Sequence, residues 1–302
     1  MHALFSRPPG RLAAALLLAA LPACKPAGPG GSVPTAAAPA EERHPLTGEI
    51  LKVDAVKNTL LVRHEAVAGY MPGMTMEFAV AAADAATTHE GERIRAELVV
   101  DATGARLEKI WPVDPVADST VAAAAGALRQ ETTIRGKGAF REIGENLPDF
   151  ALYDQEARVV QAARFHGRQI VLNFIYTRCP IATMCPAATS LMIAVQRQAR
   201  EAGVTNLELV SITLDPENDT PGVLKAYAKV RGIDTSNFSF LTGPEGAIKD
   251  LLTQFGVIAQ FEGSILKHSL STLLINADGK IIWRAEGSQW SPDEFVGRMK
   301  KG

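Results

Sequence analysis

Residues 168–190 read RQIVLNFIYTRCPIATMCPAATS. The run QIVLNFIY is almost continuously apolar, as a strand buried on both faces of a sheet must be. It ends in a turn that carries Cys179 and Cys185, and the next residues, AATSLMIAVQRQAREAG, have helical spacing. Downstream, LELVSITL at 207–214 is a second buried strand, and Pro221 opens a helix through about 231. NFSFLTG is a short strand, and PEGAIKDLLTQFG a helix closed by Gly256. STLLINADGKIIWRAEG is a hairpin turning at Asp278-Gly279, and SPDEFVGRMKK a last helix with Ser291 at its N-cap. Strands alternating with helices from Leu147 onward predict an α/β layer structure.

The region before it has a different texture. GEILKVDA, NTLLVRHEAV, MTMEFAVA, ERIRAELVV and ARLEKIWPV are five short strands within residues 46–113, a density that predicts a small closed all-β barrel. Residues 114–146 begin with DPVADSTVAAAAGA and end in a polar stretch with three glycines. They are expected to form a linker of low order. Residues 25–45 are rich in Pro, Ala and Gly without a hydrophobic period, so 24–45 is expected to be a flexible tether.

The N-terminus carries a targeting signal. Arg7 and Arg11 precede the apolar run LAAALLLAAL at 12–21, which is too short to span a bilayer but suits a signal peptide over residues 1–23. It ends in Leu21-Pro22-Ala23-Cys24, which resembles a bacterial lipobox with Cys24 as the lipidated residue, although Pro22 departs from the usual small residue. The expected location is the periplasmic side of the cell envelope, held at the membrane by the lipid. The formal charge of −2 on 302 residues and a pI near 6.3 give no footprint for nucleic acid. Three cysteines are too few for a disulfide framework, so the pair at 179 and 185 is redox-active or metal-binding.

Both readings of that pair use the same chemistry. Cys179 lies just past a strand and Cys185 near a helix start, where unpaired N–H groups and the helix dipole are expected to favour thiolate. Two thiolates on a turn suit Cu(I), a soft ion that accepts few ligands. They also make a redox dithiol that needs no metal. The order of strand, cysteine turn, helix, βαβ, hairpin and helix is the thioredoxin order. LPDFALYDQ, FIYTRCP…CP, DPENDTP, NFSFLTG and LKHSLSTLLINADG resemble the Sco/SenC family over 147–302. Family members usually space the cysteines by three residues, whereas CPIATMC leaves five.

That resemblance implies a Cu(I) site made by Cys179, Cys185 and His268, with Cu(II) also admitted there. His268 aligns with the loop facing the cysteines, and Ser271 falls where a thioredoxin carries its cis-proline. Asp215 and Asp219 gain a role near the site or in partner docking, against the plainer reading that Asp219 or Thr220 caps the helix at Pro221. Met184 is read as packing rather than as a ligand, and His166 and Arg168 as solvated loop residues. Thr177 and Cys179 lack the spacing of a peroxidase motif.

RHEAVAGYMPGMTMEFAV holds His64, Met71, Met74 and Met76. Met74 and Met76 alternate, so on a strand they share one face. This stretch resembles the CusF-like periplasmic copper-binding domain, which implies a second site at His64, Met74 and Met76. Met71 stands where that family often places a capping Trp. Together the resemblances imply an envelope copper metallochaperone serving a terminal oxidase or similar cuproenzyme. Its partners would be an acceptor such as oxidase subunit II and a thiol reductant of the envelope. The alternatives are a thiol–disulfide oxidoreductase acting on the acceptor's cysteines, and sequestration by the methionine site alone.

Overall fold

A computed structural model describes residues 41–262 and 265–300. The signal peptide, Cys24 and most of the proposed tether lie outside the described residues. No described helix is long and apolar enough to cross a membrane.

The first domain is built from β1 (Glu42–Asp54), β2 (Thr59–His64), β3 (Met74–Ala79), the short helix α1 (Ala82–Thr87), β4 (Arg93–Asp101) and β5 (Gly104–Pro112). The strands follow the order β1-β2-β3-β5-β4, and β1 also pairs with β4, so the sheet closes into a barrel. Its weakest seam is β3 to β5, joined by the single parallel pair Ala79 and Arg106. Alternating inward residues Leu46, Ile50, Leu60, Val62, Phe78, Ile94, Leu98, Leu107 and Ile110 fill the interior. Residues 42–45 belong to β1 and not to the tether expected over 24–45, because they pair with β4 from Glu42 opposite Val100 to Pro45 opposite Glu97.

The connector corrects the sequence reading more strongly. Residues 115–135 form one 21-residue helix, α2 (Pro115–Arg135). The Asp114 carboxylate accepts from the N–H groups of Val116 and Ala117, Pro115 occupies the first turn, and the alanine run has the highest helix propensity. Val121 and Leu128 are its buried residues.

The second domain contains β6 (Ala151–Tyr153), β7 (Val159–Gln161), a 3₁₀ turn at Ala162–Phe165, β8 (Gln169–Ile175), α3 (Cys185–Glu201), β9 (Leu207–Thr213), α4 (Pro221–Val230), β10 (Phe238–Leu241), α5 (Glu245–Gln254), β11 (Ala259–Glu262), β12 (Ile265–His268), β13 (Ser271–Ile275), β14 (Ile281–Glu286) and α6 (Pro292–Arg298). Its central sheet has the order β10-β9-β8-β13-β14. β8, β9 and β10 run parallel, and β13 and β14 antiparallel, as the thioredoxin order predicts. Every residue of β8, β9, β10 and β13 is buried, which explains their largely apolar sequences. The hairpin β11–β12 was not foreseen. It carries His268 at its end, paired with Ala259. Ser291 stands at the N-cap of α6 without a side-chain cap bond.

Candidate metal centres

Cys179 is placed by the end of β8 and Cys185 by the first turn of α3, while His268 arrives from the end of β12. One sulfur from each cysteine and one imidazole nitrogen lie within 4.8 Å of one another. Cys185 Sγ is 3.3 Å from His268 Nε2, and His268 Nδ1 is 3.1 Å from the Ser269 carbonyl oxygen. The carbonyl can only accept, so it fixes the tautomer: Nδ1–H donates to Ser269, and the Nε2 lone pair faces the sulfurs. Burial holds the His268 imidazole below its usual range, which favours the neutral, ligating form.

Neither cysteine is in a disulfide. Cys185 is fully buried, whereas Cys179 is partly exposed. Burial pushes the Cys185 thiol up, which corrects the expectation of a ready thiolate at the helix start. Backbone N–H groups act in the expected direction, but desolvation in the apolar wall outweighs them. The resting pair is therefore a thiol donating to a neutral imidazole. A soft cation entering here would replace that proton and take both the sulfur and the same nitrogen lone pair.

The sequence reading missed Tyr176. Its ring stands edge-on to His268 at 5.5 Å, and its hydroxyl donates to the Leu266 carbonyl at 3.4 Å. Burial, and then the Cys179 thiol beside it, push this hydroxyl up. Asp219 also has a role other than capping. It is fully buried and accepts from Thr177 N–H (3.1 Å), the Thr177 hydroxyl (2.5 Å) and the Thr213 hydroxyl (2.6 Å). Burial outweighs these donors and raises its carboxyl to about 6. Asp219 thus ties the chain entering the cysteine turn to β9, and Thr220 supplies the α4 cap, accepting from Val223 N–H at 3.4 Å. Asp215, also buried, pairs with Arg178 at 2.7 Å, next to Cys179 in sequence. Met184 is half-buried at the start of α3, and His166 and Arg168 are exposed as expected.

In the barrel, β2 and β3 set His64 opposite Met74 and Val62 opposite Met76, so the three side chains share one face of the sheet. His64 is buried and Met76 packs on the core, whereas Met74, at the start of β3, is exposed. Met71 lies in the connecting loop, bridged to Val67, and packs on the barrel core. His64 Nδ1 is 2.7 Å from the Glu65 carbonyl oxygen, which again must accept. Its Nε2 is buried without a hydrogen-bond partner. A buried nitrogen lone pair left unpaired beside a thioether-bearing strand suits a soft cation. Gly48, paired with His64 across β1 and β2, allows the close approach of β2: a Cβ there would stand 2.6 Å from Val62 Cγ1, 2.9 Å from the Arg63 carbonyl oxygen and 3.0 Å from His64 Cα.

The family model SCO1/SenC matches residues 141–301, more than half of the chain. The chain belongs to the SCO1/SenC family. A second model, "Copper binding periplasmic protein CusF", matches residues 43–112. The Sco-type domain is similar to the SCO1 protein homolog of Bacillus subtilis, with 28% identity over 157 residues, covering 50% of this chain and 79% of that protein. The SCO2-like protein of Rickettsia conorii is 33% identical over 141 residues, covering 44% of this chain and 66% of that protein. Among solved structures, BsSco, described as a member of the Sco family of cytochrome c oxidase assembly proteins, is 26% identical with a TM-score of 0.46. That match covers 53% of this chain and 94% of BsSco.

Proposed function

We propose that this chain is a copper metallochaperone of the cell envelope, in which Cu(I) is cargo. The observation that carries the reading is the convergence of Cys179, Cys185 and His268 within 4.8 Å, from the two ends of the cysteine turn and a distant hairpin. Two sulfurs and one imidazole satisfy Cu(I) and leave its coordination open. Ligands of an acceptor then replace them one at a time, and free copper never forms. His64, Met74 and Met76, with Met71 close by in the loop, acquire or store the ion. Their neutral donors resist disulfide-forming oxidants. The acceptor is the copper centre of a terminal oxidase, such as that on subunit II, or a similar cuproenzyme. An envelope thiol reductant keeps the pair open, and lipid on Cys24 holds the protein on the periplasmic side of a membrane. The test is anaerobic Cu(I) titration with X-ray absorption on wild type, Cys179→Ser, Cys185→Ser and His268→Ala. Unchanged affinity in either serine variant would remove the chaperone reading.

A second reading is favoured by the two free thiols themselves. A thiol–disulfide oxidoreductase could use them to reduce an acceptor's cysteines before metallation. Such exchange needs no imidazole ligand, so His268→Ala separates the two.

A further inference from the structure

The barrel and the Sco-type domain touch through surfaces that fit each other closely. At the start of α4, Gly222 faces α1 of the barrel. A Cβ on Gly222 would overlap Asp84 Oδ1 and come within 2.9 Å of Asp84 Cγ. The constraint is steric and lies wholly between the domains, since Gly222 has no positive φ to justify it. One turn along α4, the Lys225 ammonium donates to the Ala86 carbonyl at the end of α1 (3.0 Å) and to Glu156 in the β6–β7 turn (2.7 Å). A cation at a helix C-terminus is the favourable polarity. Lys109 on β5 pairs with Glu217 of the Sco-type domain at 3.2 Å.

An apolar seam backs these polar contacts. Trp111 of β5, partly buried, packs against a small buried cluster made by Val121 of α2 with Ala151 and Tyr153 of β6. The rings of Trp111 and Tyr153 meet edge-on at 6.0 Å, and the Tyr153 hydroxyl donates to Asp118 of α2 at 2.6 Å. Far along α2, Arg129 donates to Asp250 of α5 at 2.9 Å. A domain that merely visited this surface would need neither a missing Cβ nor a shared core.

We propose that the first turns of α4 are a built socket for α1, with Gly222 the residue that admits it, and that the two domains work as one docked body. Resting on the metallochaperone reading, this makes copper passage between the methionine and cysteine sites an event within a fixed frame. It is not an encounter of tethered domains.

Amide hydrogen exchange on the full chain tests the docking directly. Gly222→Ala should lower protection across residues 82–88 at least tenfold while the central strands β8 and β9 keep theirs. Adding Asp84→Ala to Gly222→Ala removes the overlapping atoms and should restore protection. Lys225→Met, which removes the bond to the Ala86 carbonyl together with the Glu156 pair, should lower protection of the same segment. In parallel, Ag(I) loaded on the oxidised chain should move to the cysteine site after reduction in a first-order step that is independent of protein concentration. Gly222→Ala should slow that step at least tenfold at unchanged metal stoichiometry. Wild-type protection in Gly222→Ala, or no recovery in the double variant, would overturn the socket. A wild-type chain that binds no metal would instead remove the metallochaperone reading and leave the exchange result to decide the docking.

Discussion

Replacing Asp84 with Asn should stabilise the protein at neutral pH and do almost nothing in acid. Asp84 is 6% exposed at the junction of α1 and α4, and burial raises its carboxyl from 3.8 to about 6. Between about pH 4 and 6 the unfolded chain releases this proton while the folded chain retains it. Stability therefore falls as pH rises through that window and stays low above it. Each pH unit of the gap costs about 1.4 kcal/mol, so the carboxylate costs the folded chain roughly 3 kcal/mol at pH 7.5. The N-terminus of α4 beside it offsets about 0.3–1 kcal/mol. Asn keeps the shape facing Gly222 and removes the charge, so a gain of about 2 kcal/mol is expected. Urea unfolding of both proteins at pH 7.5 and pH 4 measures it. A variant no more stable than wild type at pH 7.5, or equally stabilised at both pH values, would refute the argument from burial.

Three other outcomes follow from the sites. His268→Ala should weaken Cu(I) binding by at least about 10–100-fold, the loss typical of even an outer-sphere change, while dithiol exchange with a small disulfide survives; wild-type affinity measured by competition with a chromophoric chelator would exclude the ligand role. Full-length protein with Cys179 and Cys185 oxidised to a disulfide should bind about one Cu(I) and the reduced protein about two, by the donor sets assigned to each site. Met74→Leu with Met76→Leu should lower both counts by one, and oxidised protein that binds nothing would dismiss the barrel site. Asp219→Ala leaves the buried Thr213 hydroxyl and the half-buried N–H and hydroxyl of Thr177 without this acceptor, at about 1–3 kcal/mol for an unpaired buried group; a loss of about 2–4 kcal/mol in urea unfolding is expected, and a neutral result would mean that Asp219 does not anchor the cysteine turn.

The Sco-type half was legible because its signals are local. An all-buried strand such as β8 is mostly apolar, with Gln169 and Asn173 hydrogen-bonded, and the turn at Gly279, with φ 78°, needs a residue without a Cβ. The set His64, Met74 and Met76 rests on the resemblance to the CusF-like domain, and the β2–β3 register sets His64 opposite Met74. What escaped was set by distance along the chain. Asp219 finds Thr177 42 residues away, and no pattern around DPENDTP announces that partner. The thiolate expectation for Cys185 used the helix start, a local feature, and lost to the apolar surroundings that the fold gathers around the sulfur. α2 misled for another reason. Its Asp114-Pro115 start is a plain helix signal, but an alanine run has too little contrast between faces to look amphipathic.

That helix makes the chain length between the domains a measured quantity. An α-helix turns about 100° and rises about 1.5 Å with each residue. One residue added between Val121 and Leu128 would swing the two ends of α2 out of phase. Either Trp111 would lose its place against Tyr153, or Arg129 would miss Asp250. Sequences joining these two domains should therefore tolerate substitution along the exposed side of α2 far better than insertion or deletion. Swapping in a barrel from another protein would require the spacing from Trp111 to Leu128 to be copied residue for residue.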